Sequence, residues 1–168
     1  IFRGPQGTVF GANALAGLIN VVTPGVTDEL SGSVDFGLGN YSAIDLGAVL
    51  SGPINDRVGF RISAHQYKDD GFIDNTRLGR DNTDNHNEGT VRGKIAGDLD
   101  QGGWQVVFGS IDVDNGYDTF SLDNDRNTRS DEPGLDTQDS QYLGLNLDLN
   151  LNEKIALDAS IAYVSSDI

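Results

Sequence analysis

Residues 142–151 read YLGLNLDLNL, with Leu143, Leu145, Leu147, Leu149 and Leu151 alternating with Gly144, Asn146, Asp148 and Asn150. In an extended chain successive side chains point to opposite faces, so this period of two makes a strand with one apolar and one polar face.

The pattern repeats outward from this stretch. After the turn Asn152-Glu153-Lys154, residues 155–164 set Ile155, Leu157, Ala159, Ile161 and Tyr163 against Ala156, Asp158, Ser160, Ala162 and Val164. Upstream, 90–99 sets Val91, Gly93, Ile95, Gly97 and Leu99 against Thr90, Arg92, Lys94 and Asp98, and Asp100-Gln101-Gly102-Gly103 closes a short hairpin. Residues 58–67 oppose Val58, Phe60, Ile62 and Ala64 to Arg61, Ser63, His65 and Tyr67. Before the turn Pro53-Ile54-Asn55-Asp56, residues 44–53 do the same with Ile44, Leu46, Ala48 and Leu50. Residues 30–39, with Val34, Phe36 and Leu38, form the first such segment. Only 104–113 leaves its orientation open: Trp104, Val106 and Phe108 share a face with Asp112, while Val107, Ile111 and Val113 share one with Gln105.

These seven segments of about ten residues match the ~9–11 residues of a tilted membrane-spanning strand and exceed the ~5–6 of strands in soluble proteins. The connections between them alternate: short at 53–57, 100–103 and 152–154, long at 68–89 and 114–141, with a short turn at 40–43 on the long-loop side. Outer-membrane barrels have this arrangement, with short periplasmic turns, longer outer loops, and lipid-facing and lumen-facing residues in alternation. No run reaches the ~20 apolar residues of a membrane helix. The chain of 168 residues has 22 glycines, only 37% hydrophobic residues and no cysteine, so disulfide frameworks and thiolate metal sites are excluded.

Residues 1–24, IFRGPQGTVFGANALAGLINVVTP, are different in kind: rich in glycine and almost uncharged. They read as strand, turn, a short helical turn near 12–16, and a second strand in the β-branched run Ile19 to Thr23. Arg3-Gly4-Pro5-Gln6-Gly7-Thr8, Phe10-Gly11, Asn13-Ala14 and Gly17 to Thr23 resemble, in order, the end of the plug domain of TonB-dependent outer-membrane receptors. Ala16 stands where that family usually has glycine, and Pro24 where a basic residue is common. Residues 49–75 and 114–124 are similar to early barrel strands and an outer loop of the same family, and elsewhere the likeness is one of pattern.

The resemblance implies a mainly β fold: a partial antiparallel transmembrane β-barrel over 25–168, preceded at 1–24 by the end of a small α/β plug domain. Arg3, Gly4, Pro5, Gly7, Gly11, Asn13 and Gly17 carry the plug motif. It further implies a bacterial outer-membrane location, the TonB energy-transducing complex and outer-membrane lipid as partners, and energised uptake of a scarce small ligand such as a metal chelate, a ferric siderophore first among them. Cobalamin or glycans are alternative ligands; a passive porin-like barrel or a soluble β-solenoid are alternative classes. In this reading the chain is an internal fragment, with signal peptide and TonB box upstream.

The formal net charge of −15 argues against a nucleic-acid partner, which needs clustered Lys and Arg. Fourteen of the 26 acids fall in two windows, 69–88 and 114–139, both between strand-like segments. The second window fails EF-hand spacing and reads as a solvated surface loop rather than a metal site. No nucleophile–base constellation is present, so neither enzymatic activity nor a cofactor is expected. His65 falls on the polar face and His86 at a loop tip. The candidate ligand contacts are His86, Tyr117, Phe120, Asp123 and Asp125, because exposed polar and aromatic groups on loops held by a rigid scaffold are where recognition concentrates. Arg3 reads either as a solvated charge beside a turn or as one half of a buried ion pair with a barrel-wall acid.

Overall fold

In the computed structural model, which describes residues 1–4, 16–19, 21–121, 123 and 125–168, the seven alternating segments join in one antiparallel sheet. Its strands are β3 (Ser31–Leu38), β4 (Ile44–Asn55), β5 (Val58–Asp69), β7 (His86–Leu99), β8 (Gly102–Tyr117), β10 (Gly134–Asn152) and β11 (Ile155–Asp167). Each pairs with the next along the chain. The sheet is open: β3 and β11 are its two edges. Strands make up 67% of the described residues, and no helix occurs among them.

The register assigns the faces. Directly paired residues lie on the same side of a sheet, and one row runs Leu50, Ile62, Gly93, Phe108, Leu143 and Tyr163 across six strands. The neighbouring row runs Phe60, Ile95, Val106, Leu145 and Ile161. Trp104 pairs with Gly97 and Leu147, which settles the open orientation: Trp104, Val106 and Phe108 belong to the apolar face. A side chain at Gly93 or Gly97 would collide with the rings of Phe108 or Trp104, so glycine there is what lets these aromatics lie flat over the adjacent strand. The opposite face carries Ser63, His65, Arg92, Lys94, Ser140 and Asn146, with His65 Nε2 3.1 Å from Asp45 Oδ1.

Three strands run well past their sequence-derived ends, β7 among them, which begins at His86 and not at Thr90. β8 has 16 residues and β10 has 19, because Asp114 to Tyr117 pair with Gly134 to Thr137. There the two-residue alternation dissolves into polar residues on both faces, which hides a strand from pattern reading. Asp114, Asp136 and Asp139 are therefore ladder residues rather than loop residues.

At the chain start, β1 (Phe2–Arg3) pairs antiparallel with β2 (Gly17–Leu18), separate from the large sheet. Arg3 is exposed, and Gly4 has a φ of 84°. The second terminal strand is Gly17–Leu18 and not the β-branched run Ile19 to Thr23, since Ile19, Val21, Val22 and Thr23 lie outside any strand. The expected helical turn lies almost wholly outside the described residues. Beyond β2, Thr23 and Pro24 cross to the polar face, where Lys94 Nζ donates to both of their carbonyl oxygens.

Candidate functional site

The three short connections, 56–57, 100–101 and 153–154, fall at one end of the sheet, and 39–43, 70–85 and 118–133 at the other. The two long ones are bound into a single unit. β6 (Asp74–Asn75) of the first pairs in parallel with β9 (Asn127–Thr128) of the second.

The centre of this unit is Asp118, 5% exposed. Its Oδ2 accepts hydrogen bonds from Asn75 Nδ2, Thr83 Oγ1 and Thr128 Oγ1, each 2.8 Å long. Two donors thus come from the first loop and one from the second. A carboxylate withdrawn from water must be hydrogen-bonded, and here neutral amide and hydroxyl groups do so with no cation. Asn75 serves twice: its Oδ1 accepts from the N–H groups of Arg77 and Leu78, forming its own turn, while its Nδ2 also donates to Ser130 O at 2.9 Å. At the loop base Gly71, with φ 77°, passes so close to the Asp84 carbonyl that no Cβ fits.

The short turn at 39–43 reaches the same unit through Tyr41. Tyr41 and Ser42 both adopt positive φ, 60° and 58°, a conformation uncommon for residues other than glycine. This turn carries the Tyr41 ring against Phe72, centroids 6.4 Å apart, and its hydroxyl to Arg126 Nη1 at 2.8 Å. The Asp70 N–H donates to the Tyr41 carbonyl at 2.9 Å. One residue therefore touches both long connections.

Beside this unit opens a cavity of about 670 Å³, within the roughly 300–1,000 Å³ of small-molecule sites. Tyr117, Phe120, Asp123 and Asp125, four of the five residues singled out from the sequence, line it together with Asp118 and Arg129. Tyr117 and Phe120 are 62% and 79% exposed, so their rings are open to a ligand. Asp125 is held below its ordinary value of 3.8 by hydrogen bonds from the Asn127 side chain and backbone N–H and from the Ser121 hydroxyl. The cavity combines two aromatic faces with several carboxylates and one guanidinium, which suits a small molecule with an apolar or aromatic body and polar substituents.

The fifth residue, His86, is elsewhere. It opens β7 instead of sitting at a loop tip, half-buried, with Nδ1 3.1 Å from Asp69 Oδ1. Asp69 also accepts from the Gly71 N–H at 2.7 Å, so this group closes the base of the first loop. The acidic windows are likewise not uniformly solvated, since Asp69, Asp84 and Asp118 are all buried. Among the described residues, no three His, Asp or Glu converge on a point that could hold a metal. Of the plug-motif residues, Arg3, Gly4 and Gly17 are described, whereas Pro5, Gly7, Gly11 and Asn13 lie outside the described residues. The sequence reading missed Asn75, Thr83 and Thr128; the Asx-turn composition around Asn75 was the only local signal.

Comparison with known proteins bears on what such a site serves. No protein-family model matches the chain, and no solved structure matches it. It is 33% identical over 82 residues to the pesticin receptor of Yersinia pestis and, to the same extent, to those of Yersinia enterocolitica. The match takes in 48% of this chain but 12% of each receptor, so the likeness is to one part of a much longer protein.

Proposed function

We propose that the chain is the plug terminus, 1–24, and the first seven barrel strands, 25–168, of a TonB-dependent outer-membrane receptor. In this reading the apolar face meets lipid, the polar face lines a plugged lumen, and the loop cavity captures a scarce ligand, a ferric siderophore before cobalamin or a glycan. The TonB complex then supplies the energy for import, and the protein performs no chemistry on its cargo.

The observation that carries this reading is the sheet itself. Its seven strands run in chain order with one continuous apolar face that no second layer of the described residues covers, and both long connections leave from the same end. An open edge and an uncovered apolar face are liabilities in water, whereas a closed barrel in lipid removes both. The likeness to pesticin receptors supports a receptor over a passive channel.

Capture and import are separable. With radioiron chelates as probes, cells carrying the full-length protein should bind at the surface with or without an uncoupler, but accumulate the label only when energised and TonB is present. Alanine at Tyr117 and Phe120 together should weaken surface binding about tenfold, ~1.4 kcal/mol, from lost aromatic contact. Accumulation that survives both the uncoupler and deletion of TonB, in proportion to external concentration, would overturn the receptor reading in favour of a porin.

A further inference from the structure

Arg61, Arg92 and Lys94, three of the chain's 11 cations, stand together on the polar face of β5 and β7. Arg61 and Lys94 are direct cross-strand partners, and Arg92 pairs with Ser63 one step along the same face. With Val49 and the crossing segment Thr23–Pro24 they line a cavity of about 230 Å³. No acid lines it.

Among the described residues, the hydrogen bonds in this pocket leave its charge uncompensated. Lys94 is 6% exposed, and its Nζ donates to Thr23 O, Thr23 Oγ1 and Pro24 O at 3.3, 3.2 and 2.9 Å, all neutral oxygens. Arg92 Nε donates to the Tyr142 hydroxyl at 2.7 Å, with the guanidinium 5.8 Å from that ring's centre. Arg61 has no hydrogen bond or ion pair among the described residues.

Like charges directly opposite one another weaken a ladder, and a buried cation needs a counter-charge. In a chain of net charge −15 acids are plentiful, yet none of the described residues at this pocket is one. A conflict of this kind between local rules and the fold is characteristic of functional positions. We propose that this pocket is an oxyanion site, for one carboxylate or phosphate-type group. The Arg61 and Arg92 guanidinium forks grip its oxygens, and Lys94 adds charge from beneath while anchoring the Thr23–Pro24 segment.

The oxyanion is either free or a carboxylate of the same protein. Residues 1–24 contain no Asp or Glu, so they do not supply it. The site stands on its own geometry and does not depend on the receptor reading.

The test uses the full-length protein, with inorganic phosphate as probe against chloride at constant ionic strength. Melting temperature is followed in the wild type, Arg61→Gln and Arg61→Lys. For a free oxyanion, phosphate raises the wild-type melting temperature saturably, by on the order of 2–4 °C, and this response is lost in Arg61→Gln. For an internal carboxylate, no phosphate response depends on Arg61, but Arg61→Gln lowers the melting temperature by a similar amount and Arg61→Lys restores most of it. The proposal is overturned if no phosphate response depends on Arg61 and Arg61→Gln melts at or above the wild type, since that is the behaviour of a repulsive pair with nothing between.

Discussion

Along the wall, Val34, Phe36, Leu143 and Ile161 stand 80%, 65%, 54% and 70% exposed, whereas in the loops Asn75, Thr128 and Asp118 are 1%, 1% and 5% exposed. The apolar side chains of the sheet are exposed, and the best-buried side chains among the described residues are polar. The single large hydrophobic buried among the described residues, Ile73, belongs to the first long loop. Under the proposed function the two regions answer to different surroundings. The loop unit follows the rule for a wet surface, keeping a small interior in which every buried polar side-chain atom finds a partner. Under the same proposal the wall follows the rule for hydrocarbon: the backbone groups of its inner strands are paired within the sheet, its two edges would be paired by the rest of a closed barrel, and its apolar face is one that lipid would accept.

The contrast is broken most directly from the wall. Leu145 pairs with Val106 and Ile161 in the middle of the apolar band. Arginine at this position should cost ~2–4 kcal/mol near the bilayer midplane. The full-length protein should then lose heat-resistant assembly in the membrane. Asn146, one residue on, faces the other side beside Ser160, and arginine there should cost less than about 0.5 kcal/mol. Equal tolerance of both changes would mean that the apolar face does not meet lipid.

A smaller effect is expected in the loops, where water can follow a lost partner. Asp118→Ala removes the acceptor shared by Asn75, Thr83 and Thr128. The expected cost is about 1–3 kcal/mol, confined to the loop unit. Hydrogen exchange should speed up in 72–85 and 126–130 while protection in β5, β7 and β8 persists. Asp118→Asn, which keeps one carbonyl acceptor, should lie in between. Loss of protection throughout the sheet would mean that wall and loops form one cooperative body.

How much of this was legible follows the same division. Leu143 to Leu149 declare their strand because every second residue meets one environment and every other residue a different one. Past Val113 both faces of β8 meet polar surroundings, the alternation vanishes, and the continuation to Tyr117 cannot be read. Trp104 to Phe108 were undecidable alone, because Val107, Ile111 and Val113 put apolar groups on the polar face as well; the partners Gly93 and Gly97 resolve them. In the loops, Tyr117, Phe120, Asp123 and Asp125 are visible as a composition, but the partners of Asp118 lie up to 43 residues away. Hydrogen bonds of that span leave no periodicity to find. The cation pocket was invisible for the same reason: Arg61 and Lys94 meet only through register.

The smallest expected effect sits at the rim of the loop cavity and bears on whether the loop unit keeps its polar order by charge. Asp125 is fully ionised near neutrality, and its depressed value is caused by donors from Asn127 and Ser121 that prefer the carboxylate. A group whose value is lowered on folding contributes its stabilisation in full above the ordinary value of 3.8. That contribution declines as pH falls below 3.8 and is gone once pH passes the lower, folded value. Local order around Ser121 to Asn127, followed by hydrogen exchange corrected for the intrinsic pH dependence, should therefore hold constant from neutrality to about pH 4 and loosen below it. Asp125→Asn, which cannot ionise, should flatten this response while leaving the Asp118-centred bonds in place. If the acid loosening persisted unchanged in Asp125→Asn, the ordering of this rim would have to come from another carboxylate, and the cavity wall would not depend on the Asp125–Asn127 pair.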